Sequence, residues 1–446
     1  MTGPRTALDP RRWWATLRGY GWRLLAVVVV AAVVRTGWVL AIHAKPISDY
    51  LFYFRSATAL VHGHGFAIFG HPTAFFPIGY PAFLAPFLAL GGGSITVARG
   101  SGILLGIVSA GLAFLLGDRM GGRNAGLIAG FAFALAPDFI VYSGLLASEN
   151  LMIPLLLGVC LLLASVAPAG LTRRRAVWAG VIIGAATLVR PAGAVVLPVF
   201  LVYLWARGGR RGLVNGLVIV AAAIVIVTPW VIRNAVVVGE PTVSTNGGYT
   251  LQMGLDARAT GGPLMKGGNP PWPIGSAAQE VASDRQGRDA ALDYVTGHPW
   301  QAIALIPEKA YYLFRWTDAL VRSNMRGAQT PLGPEKPRTL SHIETGVLGR
   351  MLRNEWMLAS FHYAWLVLGA AGLVLGVARR RPAADWLALV FVAWVVVHIT
   401  LFHGQSRFLV SVSPLLAPAI GYLLVTLAGL VRRRRPATAP ADATPA

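Results

Sequence analysis

Long apolar runs broken by short polar stretches set the pattern of this chain from its N-terminal region to its last thirty residues. Runs of about 18 or more apolar residues match the thickness of a bilayer when helical. They predict spans near 22–42, 96–117, 124–141, 150–167, 176–190, 193–206, 212–231, 357–377, 384–402 and 408–431. One further apolar stretch, GYPAFLAPFLALGG from Gly79, is short and carries Pro81 and Pro86. Counting it as a crossing would reverse every later loop, so residues 79–91 are expected to dip into, or lie on, the outer leaflet.

Charge supports that count. The 446 residues are 55% hydrophobic and 13% charged, with a formal charge of +21. The arginines gather beside the apolar runs, which membrane topology explains better than nucleic-acid binding. With ten spans, Arg119/Arg123, Arg173–Arg175, Arg207/Arg210/Arg211, Arg379–Arg381 and Arg432–Arg435 fall on the side of the N-terminal Arg11, Arg12, Arg18 and Arg23. That is the positive-inside arrangement, with both termini cytoplasmic in the plasma membrane. The N-terminal arginines and LLAVVVVAAVV have the composition of a secretory signal, but the run continues through Arg35 to about Ile42, which predicts an uncleaved first helix. The single cysteine, Cys160, lies in an apolar run and supports no intrachain disulfide.

The expected fold is therefore all-α and polytopic: one transmembrane domain over 1–435 and a disordered cytoplasmic tail, 436–446. The outer side receives a first loop, 43–95, and a long segment, 232–356. The latter holds Gly/Pro-rich stretches, a polar helix from about Ser276 to Thr296, and an amphipathic stretch, HPWQAIALIPEKAYYLFRW, suited to the membrane surface.

Polar residues on the outer side carry the chemistry. Acids near outer helix ends are Asp49, Asp138 and Glu149; lone arginines facing them are Arg55, Arg190, Arg233 and Arg407, each against the charge bias. An ionisable group at membrane depth costs about 2.5 kcal/mol or more on insertion scales, so it usually faces a cavity and a partner. Sugar transfer from a lipid phosphate needs this set. The donor chain stays in the bilayer, arginine grips phosphate through a planar fork, and the phosphate leaves without protonation. One general base opposite it then suffices for inverting displacement. Asp49 suits that role, in the first turn of a helix over Ser48–Leu60 with Ser48 as N-cap. Glu149 is a second site acid or a helix-end acid. Arg190, Arg233 and Arg407 are the expected phosphate ligands.

The chain resembles the GT-C superfamily of integral-membrane glycosyltransferases, in the branch of the dolichyl-phosphate-mannose protein mannosyltransferases and aminoarabinose transferases, glycosyltransferase family 39. The resemblance rests on Asp49 followed by Tyr53, GHGF at 63–66, PTAF at 72–75, PIGYP at 77–81, SGLLASENLMIPLLL around Glu149, LVRP at 188–191, PWVIRN at 229–234, STNGGYTLQMG, ATGG and SRFLVSVSP at 406–414. Ile78, Leu255 with Asp256, and Ser411 depart from the family's pattern. The resemblance implies Asp49 as the catalytic acid-base residue, a transmembrane bundle with surface-lying helices over an outward cavity, and a polyprenyl-phosphate sugar as donor to a protein, glycan or lipid acceptor.

The remaining polar residues are read more plainly. Tyr53, one turn from Asp49, can hydrogen-bond the acid or a substrate; Arg35 is a structural partner; Asn246, Gly247 and Gly248 form a turn or let backbone approach a ligand. His62, His64 and His71 have no cysteine or spaced carboxylate to complete a zinc site, and the first loop has no Asp-x-Asp pair, so metal-independent transfer is expected. A transporter of an anionic lipid is the alternative. The lack of paired halves speaks against it.

Overall fold

The computed structural model describes residues 10–42, 44, 46–164, 168–316 and 355–434. The tail 436–446 and residues 317–354 of the long outer segment lie outside the described residues.

Each of the ten expected spans holds helix among the described residues; residues 165–167 of the span 150–167 lie outside them. The helices are α1 (Pro10–Ala41), α2 (Ser48–Val61), α3 (Gly79–Leu90), α4 (Ile95–Gly121), α5 (Arg123–Leu135), α6 (Pro137–Ser143), α7 (Glu149–Leu163), α8 (Arg173–Val189), α9 (Val196–Val237), α10 (Gly247–Gly254), α11 (Ala277–Gly297), α12 (Pro299–Ala304), α13 (Ile306–Phe314), α14 (Glu355–Ala378), α15 (Pro382–Thr400), α16 (Ser406–Val410) and α17 (Leu416–Arg434). Among the described residues, six stretches are each long and apolar enough to cross a membrane, or seven if the bent pair α5–α6 is one span. A two-stranded hairpin, β1 (Ala67–Ile68) with β2 (His71–Pro72), sits in the first loop.

The continuous helix α9 is two spans. Forty-two residues would run to about 60 Å if straight, twice the hydrocarbon thickness. Gly209 has non-helical angles (φ 55°, ψ −144°), and beyond it Gly212 and Gly216 press against Leu204 and Leu201. Residues eight and fifteen apart touch only if the chain turns back, as the expected pair 193–206 and 212–231 requires. Only glycine adopts that φ without a steric cost and lets the two arms touch.

The expected span 124–141 is broken. Pro137 removes the amide that Phe133 O would accept from, and the chain bends by 56° between α5 and α6. Arg35 of α1 replaces the donors: Nη1 donates to Ala134 O (2.9 Å) and Nη2 to Phe133 O (3.3 Å), with the guanidinium over the Phe133 ring. Arg99 of α4 does the same at the next break, donating to Gly144 O and Ile42 O. Arg35 is thus the structural partner the sequence suggests.

Chain direction puts the helix ends in two layers. The C-terminus of α1, the N-termini of α2, α4 and α7 and the C-terminus of α8 share one end; at the other, Tyr20 Oη donates to Asp118 (2.8 Å) and Arg207 meets Asp385 (3.8 Å). α3 is twelve residues long, too short to span, and packs on α8 so closely that a Cβ at Gly79 would lie 2.5 Å from Leu188 O. Arg35→Leu leaves two carbonyls without donors, each a loss of about 1–3 kcal/mol. The melting temperature in detergent should fall clearly, and Arg35→Lys should recover part of the loss.

Candidate functional site

At the end of the bundle where α2, α7 and α8 meet, four charges form a chain of alternating sign. Arg407 Nη2 lies 2.6 Å from Asp49 Oδ2, Arg407 Nε donates to Glu149 Oε1 (3.0 Å), and Arg190 Nη1 lies 2.6 Å from the same oxygen. The Glu149 side chain is fully buried, while those of Asp49 and Arg190 keep 13% and 14% of their surface. Glu149 is therefore the inner anchor and Asp49 the accessible end.

Local structure explains each position. Asp49 and Glu149 sit in the first turns of α2 and α7, where unpaired amides favour anions. Arg190 is the C-cap of α8, ahead of the helix-stopping Pro191, where a cation is favoured. Arg407 lies on the short helix α16, its guanidinium over Tyr50 and near Phe408.

The expected Ser48 cap is not formed. Ile47 is the N-cap, Ser48 has φ +50°, and its hydroxyl donates instead to Asp49 Oδ1 (3.2 Å). Asp49 thus has Arg407 on one oxygen and Ser48 on the other. Tyr53 joins the cluster through Ser148: its hydroxyl lies 3.3 Å from Ser148 Oγ, which contacts Glu149 Oε2 at 3.5 Å. Burial, then the charge of Asp49, push the Tyr53 phenol upward, so it stays protonated. An aromatic wall of Phe52, Phe76, Tyr80 and Trp272 continues from Tyr53.

Three expected site residues have other occupations. Arg233 donates to Thr73 O (2.7 Å), Phe66 O (2.9 Å) and Asn234 Oδ1 (3.0 Å), which ties the first loop to the end of α9. Arg55 stacks over Phe69. Asn246 accepts from Ser244 at the start of α10, and Gly248 beside it lets α10 press onto α11, with its amide on Asp284 (2.6 Å). Of the others, Asp138 pairs with His362 of α14 (3.0 Å) and His71 contacts Ile274 O (2.9 Å). Among the described residues no group of three or more His, Cys, Asp or Glu could hold a metal ion.

Sequence reasoning passed over the groups that hold the outer segment on the site. Glu280 of α11 is buried and accepts from Ala74 N (3.1 Å), Thr245 Oγ1 (3.1 Å) and Thr73 Oγ1. Burial raises its pKa and these donors offset part of the rise. Lys309 of α13 donates to Thr400 O (3.0 Å), and Gly404 N donates to Gly261 O (2.7 Å), so the turn before Arg407 is clamped from outside. The amphipathic pattern around Lys309 was visible, but an acid on a polar helix and a lysine on a surface helix ordinarily face water.

Residues 76–232 match the family described as dolichyl-phosphate-mannose-protein mannosyltransferase. The fold is similar to that of the archaeal oligosaccharyltransferase AglB from Archaeoglobus fulgidus, in complex with an inhibitory peptide and a dolichol-phosphate. TM-score is 0.51 and identity 15%, over 95% of this chain and 53% of AglB. It is also similar to ArnT from Cupriavidus metallidurans bound to undecaprenyl phosphate, with TM-score 0.54 and identity 14%, over 91% of this chain and 60% of ArnT. The chain thus spans a little over half the length of these proteins. No curated protein matches it in sequence. The fold is of the GT-C membrane type, as the sequence motifs imply.

Two outcomes test the cluster. Glu149→Gln leaves two buried arginines short of a counter-charge, a loss of about 3–5 kcal/mol for a buried pair, so the variant should melt well below the native chain. Asp49→Asn keeps Arg407 on Glu149 and should melt close to it. The pH dependence has its own marker. His403, in the turn before Arg407, is pushed down to about 4 by burial, whereas an unfolded histidine titrates near about 6.5. Between those values the unfolded chain binds a proton that the folded chain does not, so stability falls as pH drops from about 6.5 to about 4. Melting curves against pH should show that fall, and His403→Phe should shrink it.

Proposed function

We propose that the chain is a membrane glycosyltransferase that moves a sugar from a polyprenyl-phosphate donor to an acceptor hydroxyl with inversion, using Asp49 as general base. The observation that carries this reading is the Asp49–Arg407–Glu149–Arg190 chain of charges, with its carboxylate at the accessible end. Dolichol-phosphate on AglB and undecaprenyl phosphate on ArnT, two proteins of the same fold, support a lipid phosphate as the donor class.

In this mechanism the lipid chain lies between helices and its phosphate meets the guanidiniums of Arg190 and Arg407. The acceptor oxygen attacks the anomeric carbon as its proton passes to Asp49. The bond from that carbon to the phosphate oxygen breaks, and polyprenyl phosphate leaves with the electron pair, stabilised by the arginines. Glu149 holds both guanidiniums in place and acts as a positioning residue. Arg233, occupied by three acceptors, we assign to holding the first loop rather than to the phosphate. The two arginines supply the positive charge that a divalent cation would otherwise provide, so the reaction runs without metal.

Charge supports the sidedness of this reading. The basic clusters Arg119/Arg123, Arg173–Arg175 and Arg379–Arg381 lie at the end opposite Asp49, and the positive-inside rule then favours a site on the extracytoplasmic face of the plasma membrane with both termini in the cytoplasm.

Transfer of labelled sugar from a panel of polyprenyl-phosphate sugars, in membranes with native chain or Asp49→Asn, tests the reading. Loss of a general base should slow transfer by roughly two to four orders of magnitude while donor binding persists, and a chelator should leave the native rate unchanged. Native membranes that turn over no donor, yet move labelled lipid across the bilayer with either residue at 49, would replace the enzyme with a transporter.

A further inference from the structure

At the end of the bundle opposite Asp49, the C-termini of α4 and α14 and the middle of α17 line an open cavity of about 340 Å³. Its walls carry Arg119, Arg379 and Arg381 against one acid, Asp118, whose carboxylate already accepts from Tyr20. The cavity is therefore net positive. The turn between α14 and α15 places the arginines: Arg380 takes φ +54°, a left-handed conformation, and the chain reverses with Arg379 and Arg381 both on the cavity. Arg381 stands over the Tyr422 ring at 5.5 Å.

Tyr422 supplies an independent observation. It is only 2% exposed and lines the cavity; the guanidiniums of Arg381 and Arg379 bear on its oxygen, while its O–H has no acceptor among the described residues. A buried O–H without an acceptor loses its hydration, and native proteins seldom leave one so. Guanidiniums beside an unsatisfied O–H donor at the membrane boundary match a phosphate: planar forks for its oxygens, a hydroxyl for one more, and a pocket between helix ends.

We infer that this cavity binds a phosphate-bearing anion, separate from the donor site, on the face opposite Asp49. At that depth the phosphate comes from the headgroup of an anionic phospholipid or from solution, and the same groups take either. The site does not depend on the glycosyl-transfer reading.

Native mass spectrometry of the full chain, released from phosphatidylcholine nanodiscs containing phosphatidylglycerol, tests it. A second arm titrates inorganic phosphate into phosphatidylcholine nanodiscs. Retained phosphatidylglycerol that phosphate does not displace identifies a lipid headgroup; phosphate binding alone identifies the soluble source. In either arm Arg379→Gln with Arg381→Gln should weaken binding roughly 25-fold, since each basic residue near the surface contributes about fivefold. Tyr422→Phe should weaken it about tenfold. The control Arg173→Gln with Arg174→Gln should leave it unchanged. Equal loss in that control, equal retention of phosphatidylcholine, or binding in neither arm overturns the assignment. Melting in phosphatidylcholine nanodiscs reports folding. If the arginine pair melts early, Tyr422→Phe decides: unchanged retention overturns the site.

Discussion

A fully buried carboxylate needs a compensating charge, and Glu149 has two. Arg190 arrives from the end of α8 and Arg407 from α16, both on Oε1. The attraction between such charges strengthens in a poorly screening interior, as does the penalty for leaving one alone. That requirement draws three distant parts of the chain to one point. Asp49 then closes on Arg407 from α2 and becomes the fourth member, keeping 13% of its side-chain surface where Glu149 keeps none. The same four residues thus pin the bundle's end and leave one carboxylate less buried than the other.

A second constraint is the treatment of backbone carbonyls where helices break inside the apolar layer. Arg35, Arg99 and Arg233 each donate to carbonyls that have lost an intrahelical partner or lie in the first loop. Guanidinium suits this work because it carries several donors in one plane and keeps its charge. The arginines therefore divide by acceptor. Arg190 and Arg407 meet carboxylates at the site; Arg35, Arg99 and Arg233 meet backbone and hold the frame. Identity and position along the chain are alike for both groups, so contact alone separates them.

The outer segment completes the frame through its own buried acid. Glu280 reaches Thr73, Ala74 and Thr245, while Lys309 reaches the end of α15. The first loop, with Asp49 near its start, is thus fastened on one side by Arg233 and on the other by Glu280. Such bracing keeps Asp49 in register with the charged groups that other helices bring to it.

Periodicity, span length and the bias of arginine to one side are local properties, and they determined the helices, the membrane class and the grouping of outer-end acids and arginines. The same letters marked Asp49 as an acid in a first turn, whereas the break at Pro137 inside the expected span 124–141 appeared only in the structure. They left open which arginine meets which acceptor, because that depends on helix packing between residues as far apart as Arg407 and Glu149, 258 positions along the chain. Ser48 turns to Asp49 rather than capping α2, and Arg233, an expected phosphate ligand, turns to Thr73, for the same reason: a polar group in a dry interior takes the partner that the fold brings within reach. The sequence by itself determined the membrane architecture and the chemistry available to it, since both are written in residue type and spacing. Only the tertiary structure decided the pairing, because burial gives each charge its partner.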